Sequence, residues 1–179
     1  MGERHWEFVR PPLPAAVFLD DDGAPIPYGE RWGGDEPPPD AYSRVPHPER
    51  FAALHTVADA LIDYLARTFD ADADAAPGHA GDLHDFIYPA CGCDACDETA
   101  ERCADELECI ISGVTSGGYT EWAGRSGNAG MRLEFEGGSI GGSGPVGAIP
   151  KDRLDNARAR LAGLPDGWAP WPLRARKVP

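Results

Sequence analysis

The sequence predicts an α+β fold, with two longer helices packed on a small, mainly antiparallel sheet, a short C-terminal helix and long Pro/Gly-rich loops. Three observations predict it. Apolar residues recur at three- and four-residue steps over 51–69 and again over 100–114, which gathers each set on one helical face. Met131, Leu133 and Phe135 alternate with Arg132, Glu134 and Glu136, the period of a half-buried strand. Gly 22 and Pro 18 in 179 residues exceed the usual share and predict extensive turn and loop.

In chain order, residues 1–14 carry Trp6, Phe8 and Val9 ahead of Pro11-Pro12-Leu13-Pro14, an extended arm whose aromatics dock on the body. Ala15–Leu19, Asp20-Asp21-Asp22-Gly23 and Ala24–Tyr28 predict a hairpin turned at an Asp-Gly corner. The three aspartates lack the alternating ligands and distal Glu of a calcium loop, so they read as a solvated turn. Residues 29–45 form an irregular loop pinned by Trp32 and Tyr42.

The first long helix starts near Pro48, with Pro and Glu49 suited to a first turn. Its apolar stripe is Phe51, Leu54, Ala58, Leu61, Ile62, Leu65 and Phe69, and His55 lies off it. Residues 70–80 are an acidic low-complexity linker loop. Leu83 to Tyr88 reads as a short strand. The second helix starts near Asp97 and buries Ala100, Cys103, Ala104, Leu107, Ile110, Ile111 and Val114, turning Glu101, Asp105, Glu106 and Glu108 to solvent. Cys109 falls off that stripe.

Segments 118–122, 131–136 and 139–146 complete the sheet with 83–88. Gly142 to Gly147 has the glycine spacing of a phosphate loop, but Ala148-Ile149 stands where Lys-Ser/Thr is required, so that reading fails. A last helix near 151–162 turns Leu154, Ala157 and Leu161 inward and stops at Gly163. The tail, 165–179, lays Trp168 and Trp171 on the body and carries Arg174, Arg176 and Lys177.

A chain of this length buries roughly 70% of its unfolded surface and needs no disulfide staples, so 1–179 reads as a single domain. The formal charge of −14 and pI near 4.6 argue against nucleic acid and anionic membranes, which require basic surfaces. No window approaches the ~18 apolar residues of a membrane span, and the sequence reads as cytoplasmic. A protein partner is open, with no motif to name it.

Specific chemistry concentrates in Cys91-Gly92-Cys93-Asp94-Ala95-Cys96, which holds three of the five cysteines. An odd, crowded set points to metal thiolates or reduced thiols rather than structural bridges. Zinc takes four soft or borderline donors in a tetrahedron, and Gly92 lets the backbone curl so that Cys91, Cys93 and Cys96 can supply three. His84 is the first choice for the fourth donor, followed by His79, Cys103 and Asp94. Cys96 at a helix start would have its thiolate stabilised by free backbone N–H groups. The expected cofactor is a structural zinc, and the expected function a non-enzymatic binding or regulatory module. The alternative is a thiol–disulfide redox protein or small enzyme using Cys93 and Cys96. Asp94, Asp97 and Glu98 beside the thiols disfavour thiolate and count against it.

The segments Tyr28-Gly-Glu-Arg-Trp32, Asp40-Ala-Tyr-Ser-Arg-Val45, His47-Pro-Glu-Arg-Phe51 and Cys91-Gly-Cys-Asp-Ala-Cys-Asp-Glu98 together resemble a family of uncharacterised bacterial proteins, a domain of unknown function. The resemblance covers most of the chain. It implies no activity, cofactor or catalytic residue.

Overall fold

The computed structural model describes residues 6–70, 83–84, 86–124, 127–164 and 168–175. The fold is α+β, with helices α1 (Ala53–Thr68), α2 (Ala100–Thr115) and α3 (Lys151–Ala162), and strands β1 (Tyr119–Ala123), β2 (Asn128–Phe135) and β3 (Gly138–Pro145). The backbone groups into two compact units: Phe8–Tyr64 with Tyr88–Leu107, and Met1–Glu7 with Leu65–Ile87 and Glu108–Pro179. Of the sequence expectations, His79 and the linker beyond Asp70, Asp85, Arg176 and Lys177 lie outside the described residues.

In the first unit the chain enters α1 through a 3-10 turn, Pro48–Phe51, after His47 in a left-handed conformation (φ 52°). Pro48 therefore opens a 3-10 turn and the α-helix proper begins at Ala53. The buried face is Leu54, Val57, Leu61 and Tyr64, with Phe51 below it. This three-four spacing displaces Ile62 of the expected stripe, which is exposed. Phe8 from the N-terminal arm meets Tyr64 edge-to-face, centroids 5.6 Å apart, whereas Val9 is exposed.

The expected hairpin over 15–28 shrinks to a single bridge, Leu19 with Pro25. Its corner is set by Asp20, whose carboxylate accepts the N–H groups of Asp22 and Ala24 (3.0 and 2.8 Å), and by Gly23 at φ 81°. The Asp20 carboxylate thus supports a reversal that is also closed by two backbone bonds, Asp20 N–H to the Ala24 carbonyl (2.9 Å) and Ile26 N–H to the Phe18 carbonyl (2.8 Å). Of the two aromatics expected to pin 29–45, Trp32 does so and Tyr42 is exposed.

The second unit holds the sheet, a β1-β2-β3 antiparallel meander. Tyr119 pairs with Leu133 and Glu121 with Met131, and Leu133 pairs in turn with Ile140. Tyr119, Ala129, Met131 and Leu133 are buried on one face, in the period-two pattern the sequence carries. β3 is exposed along its whole length, because glycine and serine give it little to bury. Gly118 turns the chain from α2 into β1 so tightly that a Cβ there would stand 2.1 Å from the Glu134 carbonyl oxygen. α3 packs on β1 with Leu154 and Ala157 buried.

Where the sequence predicts a fourth strand over 83–88, the described residues Leu83, His84 and 86–88 are irregular. The Leu83 and His84 N–H groups donate to the Glu121 carboxylate (3.2 and 2.8 Å) instead of to a ladder. Glu121 sits in the buried row of β1 and also accepts the Tyr119 hydroxyl, so a carboxyl group on a core face meets donors from Leu83, His84 and Tyr119. The two tail indoles dock as expected. Trp168 packs on Tyr119 and Trp171 on Phe69, at 5.1 and 5.8 Å between centroids. Leu173 bridges Phe69, and Arg174 donates from its backbone N–H to the Thr68 carbonyl (2.9 Å).

Candidate metal centre

Cys91, Cys93 and Cys96 lie in the turn that precedes α2, and their three sulfur atoms all fall within 4.8 Å of one another. The Cys91 and Cys93 sulfurs are 3.2 Å apart, and the Cys93 backbone N–H donates to Cys91 Sγ (3.4 Å). A disulfide requires about 2.05 Å, so these are free thiols. Sulfurs bound to one zinc at ~2.3 Å stand about 3.5–4 Å apart, which small side-chain rotations reach from here. Cys93 is buried, Cys91 half-buried and Cys96 exposed.

The loop is held from outside by three arginines and a tryptophan. Arg50, only 6% exposed, donates from Nη1 to the Pro46 and His47 carbonyls, from Nη2 to the Gly92 carbonyl (2.9 Å) and from Nε to the Glu98 carbonyl (3.3 Å). Its guanidinium lies 4.4 Å from the Tyr28 ring centroid and 4.3 Å from that of Phe51. One side chain thus ties the start of the cysteine turn to its end and both to the entry of α1.

Asp94, 1% exposed, accepts from Arg31 Nη1 and pairs with Arg44 Nη2 at 3.5 Å. Its backbone N–H reaches the Arg44 carbonyl and its carbonyl accepts Trp32 Nε1–H (3.1 Å). Asp97 Oδ2 accepts the Arg31 backbone N–H (2.8 Å). Of the three acidic residues expected to oppose thiolate at this loop, Asp94 is therefore neutralised by arginines, whereas Asp97 Oδ1 and Glu98 Oε2 are buried without a hydrogen-bond partner among the described residues, Glu98 facing Arg102 at 3.9 Å.

The thiols also set one another's charge. Cys91 donates to the Cys93 sulfur and holds the Cys93 thiol below its ordinary range, an effect that outweighs burial. Cys96, which loses hydrogen bonds to Cys91 and Cys93 on ionising, is pushed up to about 12. The expected helix-start stabilisation of Cys96 does not arise. Asp97 takes a left-handed conformation (φ 51°) and ends the turn, so α2 begins only at Ala100. Thr99 caps it, its Oγ1 accepting the Arg102 N–H (3.2 Å).

The structure brings together three of the four residues expected as ligands. His84 belongs to the other compact unit, where its ring meets Phe86 edge-on and its backbone binds Glu121. Cys103 is buried in α2 outside the group, and Asp94 is committed to arginines. Sequence reasoning missed Arg31, Arg44 and Arg50. A usable signal was there: basic residues number 16 against 30 acidic, and these three cluster among aromatics in 28–51.

Among the described residues no helix is long and apolar enough to cross a membrane. No curated protein and no solved structure matches the chain. A family model does, over residues 14–79 and 76–175. The chain belongs to that family, a family of unknown function (DUF6226).

Proposed function

We propose that Cys91, Cys93 and Cys96 hold a structural zinc ion and that the protein works as a non-enzymatic binding or regulatory module built around that loop. The observation that carries the reading is the convergence of three sulfurs within 4.8 Å of one another on a turn fixed by Arg50, Asp94 and Trp32. Soft thiolates select zinc over hard cations. Free thiols and metal thiolates persist in reducing compartments, which suits the cytoplasm.

The redox alternative fits less well. An attacking thiol must be both accessible and ionised. Here the exposed thiol, Cys96, is pushed up to about 12, and the one favoured as thiolate, Cys93, is buried.

The test is metal analysis of the reduced protein purified at neutral pH without chelator. One zinc per chain is expected, lost in Cys91→Ser, Cys93→Ser and Cys96→Ser. A zinc-free wild type refutes the proposal. His84, the sequence's first choice for the fourth donor, enters through His84→Ala: full zinc retention removes it from the ligand set.

A further inference from the structure

We infer that the same loop is a binding site for trivalent thiophilic ions, those of arsenic and antimony, which take three sulfurs in a pyramid and need no fourth donor. The inference rests on the loop being a thiolate ligand set, as proposed above, and extends it to a second class of ligand. Three features carry it. The close donor group among the described residues has three members, all sulfur. The carboxylate standing between them in sequence, Asp94, is already committed to Arg31 and Arg44, and among the described residues no carboxylate joins the close group to favour a harder or higher-coordinate ion. The frame that spaces the sulfurs consists of hydrogen bonds to Gly92, Asp94, Asp97 and Glu98. The cup therefore does not depend on an ion to assemble it.

Access comes from Cys96, which is exposed, while Cys91 is half-buried and Cys93 lies beneath. An arsenite molecule, As(OH)3, can engage Cys96 first and then collect the other two. Three As–O bonds break and three As–S bonds form. The three thiol protons leave with the three hydroxides as water, and arsenic stays trivalent, so no oxidant or reductant is needed.

The experiment adds arsenite to the reduced, metal-free full chain and reads intact mass, protection of thiols from alkylation, and affinity by titration. The expected result is one adduct, heavier by one arsenic less three hydrogens, protecting three of the five cysteines. Cys96→Ser should weaken binding roughly 100-fold, because the third sulfur acts at high effective concentration. Cys109→Ser, an exposed cysteine outside the group, should bind as wild type does. Protection of two thiols or fewer, or equal affinity in Cys96→Ser, overturns the inference. Zinc is titrated in parallel. Zinc binding without arsenite binding refutes this inference alone, and arsenite binding without zinc refutes the structural-zinc reading alone.

Discussion

Arg50→Lys is the substitution that separates a preformed cysteine loop from one assembled by its ion. The guanidinium makes hydrogen bonds to four carbonyls, of Pro46, His47, Gly92 and Glu98, spread over three chain segments. A lysine ammonium at the same depth keeps the charge but cannot span all three segments. It leaves at least two carbonyls unpaired in a site that was 6% exposed. Hydrogen bonds to a charged group contribute about 1.5–3 kcal/mol each, so the loss of two should be about 3–6 kcal/mol. For a chain of this size that lowers Tm by roughly 10 °C. Urea unfolding of the reduced, metal-free protein measures it. Zinc affinity should fall by roughly 10- to 100-fold, the usual cost of disturbing a ligand's supporting partners. Cobalt substituted for zinc should keep a three-thiolate charge-transfer band once saturated. A metal-free variant within ~1 kcal/mol of wild type, with unchanged zinc affinity, would refute the argument that Arg50 sets the loop.

Two further predictions concern the rest of the fold. Gly118→Ala puts a methyl 2.1 Å from the Glu134 carbonyl oxygen, and because neither backbone can retreat it should cost at least ~2 kcal/mol in thermal unfolding. Gly142→Ala, where a Cβ meets nothing within 4 Å, should be close to neutral in the same melt. Burial holds the Cys103 thiol up to about 11 against an ordinary 9.0, so between those pH values the folded chain keeps a proton that the unfolded chain has lost. Stability should therefore fall as pH rises through that window, by on the order of 2 kcal/mol. Cys103→Ala should flatten that part of the profile, and an unchanged slope would show that the alkaline loss lies elsewhere.

The elements with strong periodicity were legible in the sequence. The apolar rows of α1 and α2, the Met131-Leu133-Phe135 alternation and the Gly163 stop report side-chain burial, which a linear pattern encodes directly. Element starts were less legible. Pro48 and Asp97 both carry first-turn chemistry, but His47 and Asp97 take left-handed conformations that delay the α-helix by several residues. Leu83–Tyr88 looked like a strand by composition, yet its first amides are drawn to a buried carboxylate 37–38 residues away. No local pattern announces such a partner. At the candidate site the three sulfurs could be read from spacing alone. Of the arginine frame only the clustering of Arg31, Arg44 and Arg50 among aromatics could be read, because their contacts with the turn arise only through the fold.

That frame also bears on why the loop suits a metal thiolate. Among the described residues Arg50 has no carboxylate within ion-pairing distance, and its charge is met by carbonyl dipoles and two ring faces. Arg31 and Arg44 share the buried carboxylate of Asp94, and Arg44 also pairs with Asp40 at 3.6 Å. Arg50 thus stands beside the cysteine turn as a buried cation met only by dipoles and rings, in a chain whose formal charge is −14. Three neutral thiols leave that charge unanswered. Three thiolates around a divalent cation carry one net negative charge, and the Arg50 Nη2 to Gly92 carbonyl contact of 2.9 Å puts a cation one peptide from Cys91 and from Cys93. Binding a divalent ion would displace the thiol protons, including the tightly held one on Cys96, and would supply the arginines with a counter-charge. Zinc affinity should rise from acid to neutral pH as protons are released, and Arg50→Lys, which keeps the charge, should retain that dependence while lowering the whole curve.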